Sequence, residues 1–100
     1  MRLSAAAICL SALVLAPPAF ADLAEDCQMQ ADIVTRAVEL RSARKSQDKA
    51  LEIMTSGEDE AVAEKYLKAV PFLVDWVYTL KRKELKLDPG QAYFDTCMAQ

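Results

Sequence analysis

The chain has 100 residues, with 12 Lys+Arg against 15 Asp+Glu and no histidine. Sixteen of its 53 apolar residues fall within residues 1–21, so an apolar leader precedes a mildly acidic remainder of 79 residues. That remainder is too short for several domains, a spacious barrel or a doubly wound nucleotide-binding sheet, which leaves one small domain.

Residues 1–21 read as a cleaved secretory signal peptide. Arg2 supplies the positive start, and Leu3 to Ala16 form an apolar run broken only by Ser4 and Ser11. Pro17-Pro18 end that run, and Ala19-Phe20-Ala21 places small residues on either side of a large one, with cleavage expected after Ala21. The rival reading, a membrane-spanning anchor, needs about 20 apolar residues, and this run is shorter. Neither Cys9, after Ile8, nor Cys27, after Asp26, has the small residues before it that lipid attachment wants. The leader is bacterial in style, so the expected address of residues 22–100 is periplasmic or secreted, with no stable membrane insertion after cleavage.

Cleavage would remove Cys9 and leave Cys27 and Cys97, one near each end of a single helical domain over residues 22–100. An even pair in an oxidising compartment predicts a disulfide. The alternatives are a redox pair or two metal ligands, but neither cysteine belongs to a CxxC and no histidine completes a zinc site. Closing so long a loop is worth about 4 kcal/mol in the chain-entropy model.

The periodicity is helical throughout. Leu23, Cys27, Gln30/Ala31, Val34, Val38 and Arg41 recur at spacings of three and four, predicting a first helix from about Leu23 to about Ala43. Ser46 is the expected N-cap of a second, short helix carrying Ala50, Leu51, Ile53 and Met54, which Gly57 ends. A third helix is expected to begin at Glu58-Asp59-Glu60, with acids in its first turn, and to continue through Val62, Tyr66, Leu67, Ala69 and Val70. Pro71 then either kinks that helix or restarts it with the proline in a new first turn. Residues 72–80 are the most apolar stretch after the leader, and Leu73, Val77 and Leu80 favour helix over strand there. Asp88-Pro89 read as N-cap and first residue of a terminal helix bearing Ala92, Tyr93, Cys97 and Met98, with Gly90 slightly weakening its first turn. With only two glycines in the chain, hairpin-rich β architecture is excluded. The expected fold is all-α, a compact bundle of four or five short helices with one long-range disulfide between its terminal elements.

Charge and chemistry narrow the function mainly by exclusion. Without Arg2, 11 Lys+Arg face 15 Asp+Glu, a net charge of −4 that argues against a general nucleic-acid or anionic-membrane binder. Two acidic and two basic blocks alternate along the chain; they fit acids near helix starts and bases near helix ends, or else a basic face that docks an acidic partner. Absence of histidine removes the commonest general base and every Ser-His or Cys-His nucleophile. Asp75, between Val74 and Trp76, is the best single candidate for a carboxylate of raised pKa, unless it lies on the polar side of its helix. No phosphate loop or calcium loop is present, and no cofactor or metal is expected. Enzyme is therefore the least favoured class.

Binding through aromatic anchors is favoured instead. Phe72, Trp76 and Tyr78 concentrate near Pro71, with Tyr66 upstream, and Tyr93-Phe94 form a second group. Trp76 is offset from the Leu73–Val77–Leu80 stripe, so it or Phe72 is expected to be partly exposed; Phe72, Trp76 and Tyr78 are the expected partner contacts.

The plan of leader, early helical cysteine and C-terminal Tyr93-x-x-x-Cys97 resembles small secreted bacterial helical proteins of unknown function. Residues 62–97 are also similar to periplasmic immunity proteins that inhibit cell-wall amidase toxins, through an aromatic-rich helix, the turn residues Leu85, Leu87, Asp88 and Pro89, and a final cysteine. That resemblance implies an immunity-type inhibitor of a toxin. Acid-stress periplasmic chaperones share the two-cysteine helical plan, with their cysteines closer together. The expected function is that of a small periplasmic or secreted protein acting through protein–protein contacts, with inhibitor and stress chaperone as its sharper alternatives.

Overall fold

A computed structural model describes the chain over residues 18–100. The signal-peptide reading of residues 1–17 lies outside the described residues. Five α-helices follow in order: α1 (Pro18–Ser42), α2 (Gln47–Met54), α3 (Val70–Thr79), α4 (Arg82–Leu85) and α5 (Pro89–Met98), with a 3₁₀ helix at Glu64–Ala69 leading into α3. No strand occurs among the described residues, and the all-α expectation holds.

The spine of the fold is α1, against which α5 and α3 pack, while α2 packs on α3. Its inward stripe is Cys27, Ala31, Ile33, Val34, Ala37 and Leu40, at the three-and-four spacing that places them along one side. These residues meet Ala50 and Met54 of α2, Val62 of the following loop, and Val70, Leu73, Val74 and Val77 of α3. None of residues 21–26 is buried, so the core begins at Cys27 although the helix begins at Pro18.

The ends of α1 and α2 have identifiable causes. Lys45 N–H donates to Leu40 O and Arg44 N–H to Arg41 O, the crossed pair of bonds that closes a Schellman motif, with Arg44 at φ 67° in the left-handed position usually held by glycine. Ser46 caps α2 as expected, its hydroxyl accepting from Lys49 N–H at 3.1 Å.

The third predicted helix is corrected. Residues 58–63 are not helical, and regular geometry starts only at Glu64 as a 3₁₀ turn. Asp59, expected inside a first helical turn, instead accepts from Ala61 N–H at 3.0 Å and from Arg36 Nε at 2.9 Å. A short carboxylate bonding its own backbone two residues on offers the chain a turn that competes with helix, and the ion pair to α1 holds it there. Pro71 then lies in the first turn of α3, so the chain restarts there rather than carrying one kinked helix through. The short α4 was not anticipated; Glu84 supports its start by accepting from Lys81 N–H at 2.6 Å.

Asp88 caps α5 as expected, accepting from Gln91 N–H at 3.1 Å, with Pro89 following it. Gly90 does more than weaken a helical turn. It is buried against α1, and a Cβ there would lie 2.2 Å from Thr35 Oγ1 and 3.1 Å from Ala31 O. Glycine therefore sets how closely α5 approaches α1. About two turns further on, Cys27 and Cys97 are bonded across the same interface with Cα atoms 5.7 Å apart and a sequence separation of 70.

Two outcomes follow for stability. Reduction, or the paired substitution C27A/C97A, should lower unfolding free energy by about 4 kcal/mol, read from urea melts of oxidised and reduced protein; coincident melts would show that the loop closure is energetically idle. G90A should destabilise by roughly 1–3 kcal/mol, because the neighbouring carbonyl of Ala31 is backbone and the helices must separate to admit a methyl group. An unchanged melt for G90A would mean the α1–α5 contact is not close-packed.

Candidate functional site

The α3 helix divides its residues cleanly between two environments. Val70, Leu73, Val74 and Val77 enter the core, and Phe72, Asp75, Trp76 and Thr79 face out. Phe72 is 77% exposed and Trp76 37%, both large for side chains of this kind. The four-residue spacing of Phe72 and Trp76 puts them on one helical face. Beside them, Leu73, Trp76, Ala92, Tyr93 and Thr96 line an open cleft of about 410 Å³ between α3 and α5. Trp76 and Tyr93 form its floor as a tilted aromatic pair, ring centroids 6.3 Å apart at 51°.

Tyr78 is elsewhere. Two residues past Trp76 it turns to the opposite flank of α3, half-buried, where its hydroxyl donates to Lys45 O at 2.7 Å. Arg41 lies over its ring, 5.6 Å from the centroid, and donates to Val77 O at 2.6 Å. Burial raises the Tyr78 pKa, partly offset by the Arg41 charge. The structure thus brings Phe72 and Trp76 together and assigns Tyr78 to fastening the α1–α2 loop onto α3. Asp75 is exposed and accepts from Gln47 Nε2 at 3.2 Å, on the polar side of its helix.

Behind the cleft lies a polar cluster that sequence patterning gave no hint of. Asp26 accepts from both the Tyr66 hydroxyl and Lys65 Nζ, the latter at 3.2 Å, and one helical turn on, Gln30 Oε1 accepts from the Tyr93 hydroxyl. Tyr93 is therefore shared between cluster and cleft. The Tyr66 hydrogen bond, and after it that of Lys65, hold the Asp26 carboxyl below its ordinary range. Burial, then the same carboxylate, pushes the Tyr66 phenol up, and the bond to Asp26 raises Lys65. A carboxylate made less basic in this way suits an acceptor that locks one phenol and one ammonium in place better than one that abstracts protons. No spacing rule links residues 26, 66 and 93; only the folded chain places them together.

Among the described residues, no group of histidine, cysteine and carboxylate side chains could hold a metal ion, and no helix is long and apolar enough to cross a membrane. At the C-terminal end of α1, Arg41, Ser42, Arg44, Arg82, Leu85 and Lys86 line a separate, basic recess.

The Asp26 cluster predicts a definite pH response. A depressed carboxyl pKa adds stability that is complete above the unfolded value near 4 and is lost as pH falls through the folded value. The raised phenol and ammonium act at the other limb, their contribution present below about pH 10 and lost above it. D26N should therefore lie below wild type by a constant margin from roughly pH 5 to 9, and the margin should close towards pH 2. Denaturant titrations across that range decide the matter, and a gap independent of pH would remove the carboxylate from the account.

Comparison with protein-family models, curated proteins and solved structures finds no match to this chain.

Proposed function

We propose that residues 22–100 act as a periplasmic or secreted helical protein through contact with another protein, and that the α3–α5 cleft with Phe72 and Trp76 is the surface presented. The observation that carries this reading is the exposure of Phe72 and Trp76 beside an apolar cleft, on a helix whose other side already fills the core. A small domain that needs large side chains inside leaves two of its largest outside at the same place. Clustered exposed aromatics are the residue type that anchors protein interfaces, and such a patch on an isolated surface is a liability for aggregation.

The chemistry of the cleft also describes the partner. Its walls are apolar, and by helical register Asp95 lies beside Ala92 at its α5 edge. An aliphatic or aromatic side chain flanked by Lys or Arg on a folded protein fits such a rim. An immunity-type inhibitor of a toxin and a stress chaperone would both make use of such a surface.

The periplasmic or secreted address rests on the leader residues and on the Cys27–Cys97 bond, which persists where thiols are oxidised. An enzyme reading finds no support in the Asp26 cluster or at exposed Asp75.

One experiment tests address and surface together. A photo-crosslinking residue at position 72, compared with one at the exposed Glu52 of α2, is expected to give a single stoichiometric adduct only from 72. That adduct should be lost in W76A at an unchanged melting temperature. The uncrosslinked protein should have the mass of residues 22–100 less two hydrogens. Equal labelling from both positions would sink the surface, and an unprocessed or dithiol mass would sink the address.

A further inference from the structure

The chain is acidic overall, yet one end of it is strongly basic. The recess between the C-terminal end of α1 and α4, about 560 Å³ in volume, is lined by Arg41, Ser42, Arg44, Arg82, Leu85 and Lys86. The ion pairs among the described residues involve Arg36, Lys49 and Lys65, and none reaches the four cations of this recess. Three carboxylates close in sequence are engaged elsewhere: Glu39 with Arg36, Glu84 with Lys81 N–H, and Asp88 with Gln91 N–H.

A helix C-terminus attracts bases, but only with about half a unit of negative charge, which is little against four positive side chains. Arg82 and Lys86 are moreover a like-charge pair at four-residue spacing, which disfavours α4. The backbone tells the same story independently. Arg44 occupies the left-handed C′ position of the α1 Schellman motif, where glycine is unstrained and a Cβ is not. Stability alone would select glycine there, and strain retained at a recess wall is the pattern of a functional position. Arg41 is meanwhile fixed by its bond to Val77 O and its place over Tyr78, so one guanidinium of the recess is held in advance of any ligand.

We propose that this recess binds phosphate oxyanions, with Arg41, Arg44, Arg82 and Lys86 as its ligands. Three guanidinium groups favour phosphate over a single point charge, because each offers paired donors to two oxygens of one group. The phosphate can be carried by a free polyanion or by a lipid headgroup; Leu87, 75% exposed beside Lys86, supplies an apolar neighbour for the second. This site is separate from the aromatic cleft, and neither proposal depends on the other.

The test uses the oxidised, exported chain with two probes, sodium tripolyphosphate and vesicles of phosphatidylglycerol, against phosphatidylcholine vesicles as the neutral control. Binding is expected at low salt and should weaken steeply as salt rises. R44G should weaken it about tenfold while holding or raising the thermal midpoint, and R82A should weaken it comparably without moving that midpoint. Variant-sensitive binding of tripolyphosphate identifies a free polyanion, and the same sensitivity confined to phosphatidylglycerol vesicles identifies a headgroup. Absence of binding to both probes overturns the proposal. So does equal weakening by K68A, which removes a charge outside the recess, or binding that R44G and R82A leave intact.

Discussion

Everything built on α3 and α5 depends on how closely the last helix is held to the first. Two features act on that one distance from opposite directions. The Cys27–Cys97 bond ties the helices covalently, and Gly90 allows them to approach until backbone nearly meets backbone. A bond alone would tolerate a range of separations, and a glycine alone would permit the approach without enforcing it. Together they fix α5 as one wall of the aromatic cleft, because Ala92, Tyr93 and Thr96 lie on the same ten-residue helix as both anchors. The cleft is thus a by-product of tertiary closure, and its shape is set by residues that do not line it.

The same closure explains where polar groups could be placed inside so small a body. Asp26 and Gln30 sit on α1 beside the buried Cys27 and Ala31, and their partners come from the 3₁₀ helix and from α5. Short polar side chains on the spine accept from tyrosines whose rings contribute apolar surface and whose hydroxyls need a partner once half-buried. Tyr66, Tyr78 and Tyr93 all follow this rule, each anchoring a different connection to α1 or to the loop after it. Phe72 and Trp76 have no such tether, which is what separates a structural aromatic from an available one here.

Much of this was legible in the order of residues. The C-terminal limit of α1, the Ser46 and Asp88 caps, the places of Leu73 and Val77 on the inward side of α3 and the pairing of Cys27 with Cys97 follow from local spacing, capping chemistry and counting, whereas α1 starts at Pro18, five residues before the expected Leu23, because no core contact is needed to continue a helix outward. What failed were decisions made by distant partners. Glu58-Asp59-Glu60 has the composition of a helix start, but Arg36, 23 residues earlier, and a backbone turn take the Asp59 carboxylate. Tyr78 belongs by composition with Phe72 and Trp76, yet the two-residue offset sends it to the other flank, where Lys45 O and Arg41 claim it. Gly90 reads as a weak helical residue until Thr35 and Ala31 are placed against it. The strain at Arg44 is invisible in sequence, because nothing local distinguishes an arginine in a helix from one just beyond its end.

The early onset of α1 relative to the core leaves its first turns open to local unwinding. Between Ala21 and Glu25, before Asp26 and its partners begin the tertiary contacts, the helix has backbone bonds of its own and no buried side chain. Proteases bind their substrates extended, so any cut at the Ala21–Asp22 junction proposed above would require these turns to unwind. Local opening costs little where no apolar surface is exposed by it, and the disulfide begins only beyond the segment that must fray. Fraying of this first stretch of α1 would leave the body closed by the Cys27–Cys97 bond as it stands.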